Sequence, residues 1–133
     1  MSQIFTYTFR TNKHAKKFKD IFIFGKLKED FKSFTELIQK KNPKLIIGLA
    51  EAKTKTRIES VAVNRFGKAG IINKAGKKSY KLHVPKDLPF TISKKPTTSF
   101  CNWTMYKISQ LGAPVSFIHY NTADLPVILD MLK

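Results

Sequence analysis

Sulfur nucleophiles, arginine and acid are all scarce in this chain of 133 residues. Cysteine occurs once, as Cys101, which excludes an internal disulfide and any cysteine-built zinc cage. Arg10, Arg57 and Arg65 are the only arginines, so the bidentate fork that reads bases and phosphates is nearly missing. Asp and Glu number 9 against 25 Lys and Arg. The first residues, Met1 to Phe5, show no charged region followed by a long apolar run, and no stretch is long enough to span a bilayer. A cytoplasmic protein without a signal peptide or a membrane partner is the expectation. Neither G-x-x-x-x-G-K-[ST] nor G-x-G-x-x-G occurs, and there is no H-x-H, no H-E-x-x-H and no carboxylate pair at metal spacing. No metal and no cofactor is therefore expected.

What is present is enough for one domain, residues 1–133, with one modest core. Hydrophobic residues make up 42%, among them eleven phenylalanines, a composition that folds. A homo-oligomer would cover any apolar patch that so small a core leaves exposed. The net charge of +16 predicts nonspecific, salt-sensitive attraction to polyanions. Because the lysines are scattered and not gathered in one tail or helix, a solvated lysine-rich surface is favoured over a dedicated nucleic-acid site.

The pattern along the chain alternates strand and helix. Gln3 to Phe9 alternates as a strand, and Arg10 to Lys19 is a basic connection in which His14, lacking an acidic neighbour in sequence, reads as solvent-facing. Ile21 to Phe24 reads as a second strand, broken by Gly25. Lys26 to Lys41 has Leu27, Phe31, Phe34 and Ile38 at the helical period, and Asn42-Pro43 stops it. Lys44 to Ala50, K-L-I-I-G-L-A, is the unbroken apolar run of a strand buried on both faces. Ile58 to Val63 reads as a further strand whose alternation puts Glu59, Val61 and Val63 on one face. A carboxylate on an apolar face must be paired, protonated or at an edge. Arg65 to Lys78 reads as turns, Tyr80 to Val84 as a strand with His83 facing solvent, and Pro85 to Pro96 as unsuited to helix. Pro114 to Tyr120 is another buried strand. Thr122 is a candidate cap for a last helix, with Pro126 in its first turn and Leu125, Ile128, Leu129 and Leu132 as its apolar face. The sum is an α/β domain with a mostly parallel central sheet flanked by helices.

Between these elements lies K-P-T-T-S-F-C-N-W-T-M-Y-K-I, Lys95 to Ile108. Cys101, Met105 and Ile108 recur at helical spacing, and Thr97, Thr98 and Ser99 before them suit a cap. The thiol is thus expected in or next to the first turn of a short helix, where free N–H groups and the positive dipole end favour thiolate. In open α/β sheets ligands collect at the carboxyl ends of strands, and His119 ends its strand there. If neighbouring elements pack together, His119 could take the Cys101 proton and Glu59 could orient the imidazole. Spacing alone leaves the plainer alternative open, that the three are ordinary core residues.

Three blocks resemble, in order, those of the pyroglutamyl peptidase I (pyrrolidone-carboxylate peptidase) family of cysteine peptidases. I-E-S-V-A-V-N, Ile58 to Asn64, is similar to the block around the family's catalytic glutamate. S-F-C-N-W-T-M-Y, Ser99 to Tyr106, is similar to the nucleophile block, and S-F-I-H, Ser116 to His119, to the strand ending in the catalytic histidine. The resemblance implies a pared-down phosphorylase/hydrolase-like fold and a catalytic triad of Glu59, Cys101 and His119. It also implies a peptide or small amide as substrate, with Glu51, Phe100 and Asn102 contacting it. The chain departs from the family in being shorter and in lacking the N-terminal Pro-Phe-Gly-Gly loop, where R-T-N-K-H stands instead. Glu51 falls where the family has an uncharged glutamine, and Pro85 to Pro96 replaces a crossover helix. The implied activity is removal of an N-terminal pyroglutamyl or related acyl group. The alternatives are a divergent peptidase-like domain without that activity, and a lysine-rich nucleic-acid-binding domain.

Overall fold

The computed structural model describes residues 3–133, and in them the chain forms eight strands and three α-helices. Strands β1 (Ile4–Phe9), β2 (Phe22–Phe24), β3 (Leu45–Glu51), β4 (Arg57–Glu59), β7 (Thr91–Ser93) and β8 (Val115–Tyr120) form one sheet of order β2-β1-β3-β8-β4-β7. Neighbours are parallel except β4 and β8. Strands β5 (Val61–Val63) and β6 (Ser79–Lys81) form a separate antiparallel pair. This is the expected α/β domain with a mostly parallel sheet. No helix among the described residues is long and apolar enough to cross a membrane.

Side-chain alternation sorts the core onto two faces. Helices α1 (Leu27–Lys41) and α2 (Phe100–Gln110) cover the face built from Phe5, Tyr7, Phe9, Ile46 and Phe117. Helix α3 (Leu125–Met131) covers the other, built from Ile47, Leu49, Ile58, Ile118 and Tyr120. Gly48 stands in register with Tyr7 and Phe117 at the centre of the first face, and a Cβ there would overlap both rings. Only glycine lets those two aromatics meet edge to face, 6.0 Å apart, across the strand between them.

The helix ends follow their sequence signals. Asn42 closes α1 in the left-handed conformation, with φ 43°, as a C-terminal asparagine can. Gly112, φ 83°, follows α2. Pro126 lies in the first turn of α3, but the capping differs from the expectation for Thr122. Asn121 caps a single 3-10 turn over Thr122–Asp124, and α3 continues from it.

One sequence reading is corrected. Glu59 and Val63 do not share a strand, because the chain breaks at Ser60. The Ser60 hydroxyl donates to the Ser93 carbonyl at 2.6 Å, and the Ser60 carbonyl accepts from Leu82 N–H at 3.0 Å. The first half of Ile58–Val63 therefore joins the large sheet as part of β4, and the second half becomes β5 of the small one. The break leaves Glu59 at the end of β4, next to β8.

Candidate active site

The carboxyl end of β8 places His119 on the side of the sheet that α2 covers. Phe117 and His119 alternate onto the same face, their rings 4.9 Å apart. Glu59 arrives there from the antiparallel neighbour β4, whose register sets it against Phe117 and Arg57 against His119. The His119 Nδ1 lies 2.8 Å from Glu59 Oε2. A carboxylate only accepts, so Nδ1 is the donor in this contact, and in a neutral imidazole Nε2 is then the free acceptor. Arg57 Nε donates to the same Glu59 oxygen at 3.0 Å. Glu59 and His119 are 1% and 7% exposed, so this charge is paired inside the protein, as a buried carboxylate requires.

Cys101 comes from the first turn of α2. Ser99 is the cap, its hydroxyl oxygen accepting from Cys101 N–H at 3.3 Å, and the apolar residues Cys101, Met105 and Ile108 face the core as the spacing predicts. Cys101 and His119 line one cleft of about 350 Å³ together with Phe9, Thr11, Asn12, Glu51 and Phe100. The expected preference for thiolate is not met in the resting protein. Burial pushes the Cys101 thiol up to about 12, the Ser99 hydrogen bond lowers it less, and the nearby Glu59 charge adds to the rise. A helix end contributes partial charges at its first turn, but desolvation of a nearly enclosed sulfur outweighs them. The sulfur therefore has to lose its proton to a base at the moment of reaction.

The remaining predicted residues divide. Phe100 is partly exposed at the cleft and packs edge-on to Phe9, 4.7 Å between ring centroids. Glu51, at the end of β3, also lines the cleft. Asn102 does not line it. Its amide is spent on backbone, accepting from Val63 N–H at 3.0 Å and donating to the carbonyls of Val63 at 2.8 Å and Arg65 at 2.9 Å. It staples α2 to β5, which fixes the pitch of the helix that bears Cys101.

His14 was missed. Read as solvent-facing, it is half-buried and pairs through Nδ1 with Glu51 Oε2 at 2.8 Å. Asn12 is buried below it, its Oδ1 accepting from the Tyr120 hydroxyl at 2.8 Å and from His14 N–H at 2.9 Å. The signal that could have found this group is the rule already used for His119, because R-T-N-K-H lies at the carboxyl end of β1, beside β3.

A mostly parallel sheet with helices on both faces, and a cleft at the carboxyl ends of its strands, defines the class as an α/β fold. The particular fold is that of the pyrrolidone carboxyl peptidases. Superposition on pyrrolidone carboxyl peptidase from Thermococcus litoralis gives a TM-score of 0.73 at 19% identity, covering 91% of this chain and 77% of that one. A mutant of the Pyrococcus furiosus pyrrolidone carboxyl peptidase gives 0.67 at 17% identity, covering 89% and 80%. No family model matches the sequence, and no curated protein matches it significantly. At this identity the likeness establishes the fold alone.

Proposed function

We propose that this chain is a cysteine hydrolase that cleaves an amide after a small N-terminal acyl group, a pyroglutamyl residue being the leading candidate. The observation that supports it most directly is the buried His119–Glu59 pair, 2.8 Å long, on the cleft that Cys101 also lines. Nε2 of His119 takes the Cys101 proton as the sulfur attacks the carbonyl carbon. The C=O π electrons move to oxygen, and backbone N–H groups in the first turn of α2 are the natural donors to that oxyanion. The imidazolium formed is stabilised by Glu59 and then gives its proton to the departing amine, leaving a thioester. Water, deprotonated by His119, attacks the thioester and releases the acid and the free thiol. The neutral resting sulfur makes His119 indispensable, since little thiolate exists without it. Arg57 acts through Glu59 by holding its carboxylate in line.

The aminoacyl class rests on the fold likeness and on the cleft, where Phe9 and Phe100 offer an apolar wall and Glu51 and Asn12 a polar one. Hydrolysis of a fluorogenic pyroglutamyl amide by wild type, abolished in Cys101→Ser with an unchanged circular dichroism spectrum, is the expected result. No turnover of pyroglutamyl or other small N-acyl amides by the folded wild type would sink the proposal. Localisation in the cytoplasm accords with a free, reduced Cys101.

A further inference from the structure

The loop joining β5 to β6, residues 64–78, plays no part in the proposed chemistry, yet it is tightly built. The Asn64 side chain accepts from Ile72 N–H at 3.0 Å and Asn73 N–H at 2.9 Å, and donates to the Asn73 carbonyl at 2.6 Å. Phe66 and Gly70 exchange both backbone hydrogen bonds, 2.9 and 3.1 Å, across a tight tip in which Gly67 takes φ 72°. The Tyr106 hydroxyl donates to the Lys77 carbonyl at 2.6 Å. Within that frame Ile72 turns inward to the core, whereas Ile71 points outward, 61% exposed, beside Phe66 at 43%. The pinned backbone cannot fold these two side chains away, so their exposure is part of the design of the loop.

Their surroundings are of one sign. No acid occurs between Glu59 and Asp87, and Arg65, Lys68, Lys74, Lys77 and Lys78 are all exposed. An apolar tip in a segment whose only charges are exposed cations fits a surface that is apolar inside and anionic at its face. We propose that the hairpin tip Phe66–Ile71 docks on an anionic lipid surface, the two apolar side chains entering the acyl boundary while the lysines remain among the headgroup phosphates. This is attachment to a surface, which needs no spanning segment. A second copy of the chain is disfavoured as occupant because two such tips would bring like charges together. Nucleic acid is disfavoured because Phe66 alone at the tip offers a face on which a base can stack, and the whole loop has one arginine, Arg65. Gly67 N–H donates to the Thr98 carbonyl at 2.8 Å, so the docked tip would lie next to the segment that leads into the Cys101 helix. The inference does not depend on the hydrolase reading.

The test is co-sedimentation of the intact chain with vesicles of phosphatidylcholine alone or with roughly 30% phosphatidylserine, in about 100 mM salt where distant charges are screened. Wild type should pellet with the anionic vesicles and stay in solution with the neutral ones. The double variant Phe66→Ser/Ile71→Ser should bind at least about tenfold more weakly, as loss of two buried apolar side chains implies. Lys68→Glu/Lys74→Glu should weaken binding more than the charge-matched Lys32→Glu/Lys55→Glu on other surfaces. The single variant Ile71→Ser, with a wild-type dichroism spectrum, guards against a folding artefact. Wild-type binding by the double variant would reduce the effect to net charge and overturn the proposal. So would a wild type that ignores anionic vesicles, or a tip that the double variant shows to be needed instead for single-stranded oligonucleotide binding or for a dimer in sedimentation equilibrium.

Discussion

Two His–Glu pairs flank the same strand ends, and both measure 2.8 Å. His119 and Ala50 stand in register on β8 and β3, and Tyr120 and Glu51 are the next pair along. Alternation therefore sends the His119–Glu59 pair toward α2 and the Glu51 side of the His14–Glu51 pair toward α3. The first is enclosed, with side-chain exposures of 9% and 1%. The second is open, at 14% and 28%, with Lys13 Nζ 3.9 Å from the other Glu51 oxygen and the Thr122 hydroxyl donating at 3.3 Å. Equal distances thus conceal unequal physics. A pair held away from water has no substitute partner if one member is lost, while a partly open pair can exchange its partner for solvent. Both pairs reach the cleft that Cys101 lines, but the enclosed pair brings its imidazole there and the open pair only the Glu51 carboxylate, which is why the proposed chemistry is assigned to the first.

The largest contrast should appear on truncating the two acids. Glu59→Ala leaves His119 unoriented and removes the partner of Arg57, and it should destabilise the fold by about 3–5 kcal/mol, as breaking a buried ion pair does. Glu51→Ala should cost less than about 1 kcal/mol, the range of a solvated pair. Urea denaturation of the two variants beside wild type measures both. Similar losses at the two sites would mean that enclosure is not what separates the pairs.

Enclosure reaches the sulfur as well, and gives a contrast in pH. In the unfolded chain the thiol ionises near its ordinary 9.0, whereas burial holds it up to about 12 in the fold. Below pH 9 both states keep the proton and the thiol adds no pH dependence. As pH rises from 9 toward 12 the unfolded chain sheds the proton and the folded one does not, so stability is lost across that window. The difference between wild type and Cys101→Ala should change by about 2 kcal/mol between neutrality and roughly pH 10.5, from linkage of a shift this large. A pH-independent difference, from denaturation series at several pH values, would mean that the sulfur is accessible to water.

What could be read from sequence is what is encoded locally. Helix α1 announces itself through the period of Phe31, Phe34 and Ile38 and through Asn42, and β3 through an unbroken apolar run, because both signals lie within one element. The candidate triad was legible for a related reason, as a thiol at a capped helix start and a histidine at a strand's carboxyl end each have positional meaning. Readings failed where the cause is distant in sequence. Nothing near Ser60 shows that Ser93 and Leu82 will claim its polar groups and split the strand. His14 looked unpaired because Glu51 reaches it only when β1 and β3 align. Strand β7 was hidden among prolines, which an edge strand tolerates. The state of Cys101 was misjudged since a helix end is a local feature and desolvation is a property of the whole cleft.

The smallest effect sharpens the comparison most. Glu51→Gln keeps the shape of the side chain and its hydrogen bonds to Thr122 and His14 within reach, but removes the charge from the cleft wall. Glu51 as a carboxylate offers acceptors only, whereas a glutamine presents an acceptor and a donor, matching the N–H and carbonyl of a lactam ring. If the cleft takes a pyroglutamyl group, the variant should lower KM for a pyroglutamyl amide about threefold, the scale of one modest hydrogen bond. Its kcat should be unchanged if proton transfer runs through Cys101, His119 and Glu59 as proposed, since all three are untouched. Steady-state kinetics separates the two parameters. A kcat that falls a hundredfold or more, with KM constant, would make His14–Glu51 a working partner in the reaction and erase the distinction between the two pairs.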